Sequence, residues 1–298
     1  MIDRAPFDSL ETTTLELGSV AVTVAVDAGP RLLAYARTDG PSLFASLPNE
    51  VIEHPAVGVF RFLGGHRLWR APEVPAQTYV PDDVPVTITE TEAGIEIAGA
   101  ADGEGIVRAI ILSQHGDLTR VDHELRNEGW TPVRLAPWAI TQLAPGGTAY
   151  LPQPRGPVDD DGVLPNRHLV LWPYSDLSSP EITVRRDLVT VEATGRTSKV
   201  KIGIPNRRGW IAYARDGEVF VKWAALHRDG EVYADFGASV QCYRDERFIE
   251  LETLGPLVTL QPGKRAAHRE IWALREVPDG ALDDVLESLP AQPEGLAT

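Results

Sequence analysis

The sequence predicts an all-β protein of antiparallel strands, and three observations carry the prediction. Apolar residues recur at every second position in short runs, tight-turn pairs punctuate those runs, and helical periodicity is confined to one place near the C-terminus. Valines alternate with small residues over Val20 to Val26, up to the break at Asp27-Ala28-Gly29-Pro30. Similar runs follow at Val84 to Thr89, Gly94 to Ala98, Ile106 to Ser113, Thr119 to Arg126 and Val133 to Ile140. Asp216-Gly217 and Asp229-Gly230 supply the pair that a primed hairpin turn requires, and His115-Gly116-Asp117 reads as a further turn. Strands joined so tightly must be antiparallel, because a parallel connection needs a long crossover. Leu282, Val285 and Leu289 form one stripe within Gly280 to Leu289, which predicts a short helical appendage at about residues 279–290. Pro, Gly and Asp crowd Pro145 to Pro165, which predicts a long loop.

A chain of 298 residues, 43% hydrophobic and 24% charged, has the composition of a globular protein with a substantial core. No internal repeat and no shift in composition divides it, so residues 1–298 read as one large domain, a sandwich rather than a propeller. The net charge of −15 disfavours nucleic acid and anionic membrane surfaces as partners and leaves a small molecule as the expected one. Cys242 is the sole cysteine, so no intramolecular disulfide forms, and a free thiol points to the cytosol. The stretch from Met1 to Leu17 lacks the pattern of a signal peptide, and no run approaches a membrane span. The expected location is cytoplasmic.

Three constellations can carry chemistry. In Arg247-Phe248-Ile249-Glu250-Leu251-Glu252-Thr253-Leu254 a period of two puts Phe248, Glu250 and Glu252 on one face, with the carboxylates roughly 6.6 Å apart. On a solvated face such alternation is commonplace; lining a pocket, the pair would have at least one raised pKa and could work as acid or base. The run Gly64-Gly65-His66-Arg67-Leu68-Trp69-Arg70-Ala71-Pro72-Glu73 combines an indole for the apolar side of a pyranose with imidazole and guanidinium for its hydroxyls. The bland alternative packs Trp69 in the core and leaves the charges in surface pairs. Lys222, His227 and Asp235 are expected on strands adjacent through the Asp229-Gly230 hairpin, where they add polar groups, although surface placement is the default for a lysine.

His123 alternates with Val121 and Leu125 and is expected as a hydrogen-bonded core residue. Trp138 and Thr141 have a core reading and a pocket-wall reading. No P-loop, dinucleotide fingerprint, nucleophile elbow or H-E-x-x-H pair is present, and no ligand spacing gathers His66, Glu73, Asp235 and the glutamates around a metal. No cofactor or metal is expected.

Ile249-Glu250-Leu251-Glu252-Thr253 resembles the L-E-T strand of aldose 1-epimerases, the galactose mutarotases. Leu260-Gln261-Pro262-Gly263 and Ile271-Trp272-Ala273-Leu274 resemble that fold's closing turn and last strand. Gly64 to Trp69, Leu171-Trp172-Pro173-Tyr174 and Tyr233-Ala234-Asp235-Phe236-Gly237 resemble an uncharacterised branch of the same superfamily, over roughly residues 20 to 275. The resemblance implies a galactose-mutarotase-like β-supersandwich in which Glu252 is the catalytic base. The family's mid-chain acid histidine has no counterpart in Ala136-Pro137-Trp138-Ala139-Ile140-Thr141, so His66 is the expected acid. The expected activity is interconversion of sugar anomers without a cofactor. Arg67, Trp69, Glu250, Asp235, Lys222, Trp138 and Thr141 would bind the carbohydrate. A non-catalytic carbohydrate-binding module is the alternative, and a glycoside hydrolase or lyase the third reading.

Overall fold

The computed structural model describes residues 10–38, 40–194 and 199–293, so part of the N-terminal stretch read above for a leader lies outside the described residues. Two large antiparallel sheets face one another. One has eleven strands, and its central order is Arg31–Arg37, Gly58–Ala71, Val133–Leu143, Ile249–Leu254, Val240–Arg244 and Val200–Ile204. The other has ten, with Trp210–Arg215, Glu218–Ala224, Arg265–Glu276, Leu118–Asn127 and Ile106–His115 as consecutive neighbours. Among the described residues no helix is long and apolar enough to cross a membrane.

Local chemistry explains where these elements begin and end. Asp216 (φ 52°) and Gly217 (φ 77°) both adopt the left-handed backbone of a primed turn, and they join Trp210–Arg215 to Glu218–Ala224 as a hairpin. Gly116 (φ 60°) does the same between Ile106–His115 and Leu118–Asn127. The strand expected from Val84 starts only at Thr87, since Pro85 has no N–H for the ladder. The expected loop at 145–165 contains a strand, Thr148–Pro152, which pairs with both Leu188–Glu192 and Trp210–Arg215. Asp229-Gly230 is a turn inside a long loop rather than a hairpin, because the strands on either side of that loop belong to different sheets. The C-terminal helix, Leu282–Glu287, buries Leu286, and Leu289 just beyond it, against Trp210 and Trp223.

The main core lies between the sheets. Leu68, Leu143, Cys242, Ile249 and Leu251 of the first meet Ile110, Leu125, Phe220 and Trp272 of the second. A buried polar network interrupts this apolar layer. Lys222 Nζ gives its three protons to Thr141 Oγ1 (3.0 Å), the Leu251 carbonyl (3.1 Å) and a Glu270 oxygen (2.9 Å). Glu270 also accepts from Trp272 Nε1 at 2.7 Å and from the Thr253 hydroxyl.

The tautomers of three buried histidines follow from their partners. His123 Nδ1 must donate to the His268 carbonyl (3.1 Å), so its Nε2 is an acceptor and takes a proton from His66 Nε2 (2.8 Å). His66 Nδ1 is then an acceptor for the Thr141 hydroxyl at 2.8 Å, and His268 Nε2 donates to Thr253 Oγ1 at 2.6 Å. Each ring is neutral, and His66 and His123 have both nitrogens engaged.

Burial is the main force holding these rings below the ordinary imidazole value, and Lys222 adds to it in each case; His268 is pushed down to about 3. An unfolded chain takes up protons near pH 6.5 that the native rings refuse, so stability is complete above that value and falls as the solution is acidified. The unfolding free energy read from urea titrations should therefore fall as the pH drops from about 6.5 to about 5, by about 1.4 kcal/mol per pH unit for each histidine that stays neutral, less the opposing contribution of a buried carboxyl whose pKa is raised. An unfolding free energy constant over that range would contradict the neutral network.

Candidate active site on the outer face of the larger sheet

The central strands of the larger sheet are buried on both faces, and their register sets which side chains share the outer one. Direct cross-strand partners point the same way. Arg67, Ile140, Glu252, Gln241 and Gly203 form one row across five strands. The next row is Gly65, Gln142, Glu250, Tyr243 and Lys201, and on the other side of the first lie Trp69, Trp138 and Leu254. Gly203 is needed there, because a Cβ would stand 2.5 Å from that of Ala238 and 3.4 Å from the Trp172 ring.

Two ion pairs cross this lattice diagonally. Arg67 Nη2 donates to Glu250 Oε1 at 2.9 Å, an oxygen that also accepts from Gln142 Nε2 at 3.0 Å. Lys201 Nζ donates to Glu252 Oε2 at 2.9 Å, and Trp138 Nε1 reaches the same oxygen at 2.7 Å. The Lys201 ammonium also lies 4.7 Å from the Trp138 ring centroid and 4.8 Å from that of Trp172. Asp235 Oδ2 accepts from Gln241 Nε2 at 2.7 Å, so it orients the amide beside Glu252.

After these bonds several buried polar atoms on this one face have no protein partner. They are Glu252 Oε1, Arg67 Nε and Nη1, and the side-chain oxygens of Gln142 and Gln241. Such groups are costly to leave unmatched, which makes this face the candidate site. Around them stand Tyr79, Tyr174 and Tyr243. Burial raises the pKa of each hydroxyl, and the negative charge of Glu250 contributes to all three shifts.

Glu252 is fully buried, and burial is the main cause of a carboxyl pKa pushed up to about 7; Lys201 opposes that rise and Glu250 adds to it. At neutral pH the group therefore both takes and gives a proton readily.

Solved structures supply the comparison. A candidate aldose 1-epimerase from Escherichia coli K12 is 11% identical with a TM-score of 0.56, over 90% of this chain and 100% of that one. A galactose mutarotase-like protein from Lactobacillus casei is 11% identical with a TM-score of 0.51, over 89% and 100%. The fold is galactose mutarotase-like. A TPR-domain containing protein from Parabacteroides distasonis shares it at 13% identity and a TM-score of 0.61, over 97% of this chain but 50% of that one, so this chain spans about half its length. No family model and no curated protein matches. At these identities the likeness to mutarotase-like structures establishes architecture, and activity must be argued from side chains.

Within this mutarotase-like frame the sequence-predicted residues divide by face. Glu252, Glu250, Arg67, Trp69 and Trp138 share the outer face, and Asp235 reaches it through Gln241. His66, Thr141 and Lys222 do not. They are fully buried in the network between the sheets, so His66 cannot serve as an acid beside Glu252. Trp69 differs in role as well, since the Arg67 guanidinium lies 4.1 Å from its ring centroid where a sugar was expected. Gly64 and Gly65 serve close backbone approach, with Cβ positions 1.9 Å from the Ala45 carbonyl oxygen and 2.1 Å from that of Leu32.

Lys201, Gln142 and Gln241 had not been singled out. The alternation of Val200, Ile202 and Ile204 with Lys201 and Gly203 is the signal that assigns Lys201 to the face opposite the core. His66, His123 and Glu270 bring possible ligand atoms within 4.8 Å of one another, yet they do not suit a metal. Their bonding is already complete, and the Lys222 ammonium sits on the carboxylate. A surface hollow of about 400 Å³, lined by Pro137, Val258, Leu260, Lys264 and Arg265 among others, includes none of the outer-face charged residues.

Carboxyl-carbon NMR of the protein labelled at glutamate should show one side chain titrating near pH 7 and lost in Glu252→Gln. A Glu252 resonance titrating in the ordinary range near 4.5 would contradict the environment described here.

Proposed function

We propose that the outer face binds a sugar or sugar derivative and interconverts its anomers by general acid/base catalysis, with Glu252 as the base. The observation that carries this reading is the Glu252 carboxyl itself. It is buried with a pKa of about 7, one oxygen is fixed by Lys201 and Trp138, and the other is unpartnered. A carboxylate in that state removes the anomeric hydroxyl proton and returns it after ring opening and closure, so no cofactor is required. Arg67, Gln142 and Gln241 offer their free polar atoms to the other hydroxyls. Glu250 and Asp235 orient these groups, and Trp138 walls the site.

The partner is thus a small carbohydrate, in keeping with the net charge of −15, and residues 1–298 act as one domain. Hydrolysis fits less well: Glu250 and Glu252 leave the same strand on the same face and each is tied to a cation, whereas a glycosidase sets its carboxyl groups on opposite sides of the scissile bond. A non-catalytic binding module is the second reading. The placement of His66 behind the sheet favours it, because it removes the expected acid.

One-dimensional exchange NMR on a panel of free aldoses and uronic acids should reveal α/β interconversion faster than the buffer rate. Glu252→Gln should slow it at least about 100-fold. The amide still offers an oxygen to Lys201 and Trp138, so the urea midpoint should stay close to that of wild type. Undiminished exchange in Glu252→Gln would remove Glu252 from the role of base, and line broadening without exchange would support the binding module.

A further inference from the structure

We propose that Lys201 is the acid that partners Glu252, donating a proton to the ring oxygen as the sugar opens. This rests on the anomer-interconverting reading of the outer face and fills the role that His66 cannot occupy. The argument begins with the substrate. The anomeric hydroxyl and the ring oxygen are attached to the same carbon, so the groups that deprotonate one and protonate the other must be immediate neighbours. Lys201 Nζ is 2.9 Å from Glu252 Oε2 and on the same face, and it retains two further N–H bonds beyond the one given to Glu252. It is 4% exposed, and the Trp138 and Trp172 rings beside it exclude water from the ammonium.

Several other proton donors nearby are less suitable: the Tyr79 hydroxyl is given to Glu73 and that of Tyr243 to Asp245. Arg67 is a guanidinium, which does not release its proton. Trp138 Nε1 is already committed to Glu252. His227 and His168 approach Gly237, beyond Asp235, where His227 bonds Ser239 at 3.2 Å and its ring stacks on Tyr233.

The step balances. Glu252 Oε1 takes the anomeric hydroxyl proton, and the electron pair of that O–H bond becomes the second bond of the aldehyde. The bond from the anomeric carbon to the ring oxygen breaks, its pair goes to that oxygen, and Lys201 supplies the proton there. Glu252 is left as the acid and Lys201 as the amine. Closure on the opposite face of the aldehyde runs the same transfers in reverse and restores the ion pair.

The test is amine rescue, read by exchange NMR on a sugar that wild type turns over. Lys201→Ala should lower the rate at saturating sugar about 100-fold with little change in the concentration needed for saturation, and added methylammonium or ethylammonium should restore it at least about tenfold. Lys201→Arg should remain slow without rescue. Lys201→Gln gives the same comparison if the alanine variant is unstable to urea, and His227→Asn should exchange at the wild-type rate.

Two results would overturn the proposal while leaving Glu252 as the base. One is wild-type exchange in Lys201→Ala. The other is a loss that amines do not rescue but higher pH does, the behaviour expected if Lys201 only lowers the Glu252 pKa. A loss in His227→Asn as large as that in Lys201→Ala would move the role of acid to His227. Failure of wild type to exchange any sugar that it binds would end both this proposal and the catalytic reading beneath it.

Discussion

The ammonium of Lys222 fastens the two sheets together, and the outer site is braced by what it holds. Its three protons go to a carboxylate on its own sheet and, across the core, to the hydroxyl of Thr141 and the backbone of Leu251. Those two residues belong to the strands that carry Gln142 and the Glu250 and Glu252 pair on their other face. A buried charge of this kind is maintained only while its partners are complete, since removing one side of such a pair costs about 3–5 kcal/mol. The network with His66, His123, Thr253, His268 and Glu270 meets that condition, and it holds the site strands from behind.

The outer face repeats the same physics with a difference. Arg67 and Lys201 are buried too, though not quite as completely as Lys222, and each has a carboxylate, but the matching is left incomplete. Oxygens of Glu252, Gln142 and Gln241 and two nitrogens of Arg67 are out of water without a protein partner. In the Lys222 network behind the sheet the polar groups answer one another, and on the outer face the unanswered groups lie side by side. That contrast separates a structural network from a ligand site more clearly than residue type does, because both contain cations and carboxylates.

Much of this was legible in the sequence through the period of two. It placed Glu250 and Glu252 together, predicted the strand Gly94–Ala98 to the residue, and located the Asp216-Gly217 hairpin. The same rule, applied strictly, separates His66 from Arg67, since adjacent residues of a strand face opposite ways, and separates Thr141 from Trp138. The site expected around His66 mixed the two faces. Lys222 was beyond such reasoning, because the loop after it leads to a strand of the other sheet and no local pattern reports that crossing. Lys201 was obscured for another reason: a lysine in a strand is ordinarily a solvated residue, and only the neighbours brought by register make it buried.

The central claim is that the sugar lies on the outer face against Glu252. A crystal structure of Glu252→Gln soaked with the sugar that wild type interconverts most rapidly tests it directly. The account predicts the anomeric oxygen at the side chain of residue 252, the ring oxygen toward Lys201, and other hydroxyls on Arg67, Gln142 and Gln241. A sugar seated elsewhere, such as in the hollow lined by Pro137, Val258, Lys264 and Arg265, with the outer face unchanged, would contradict it.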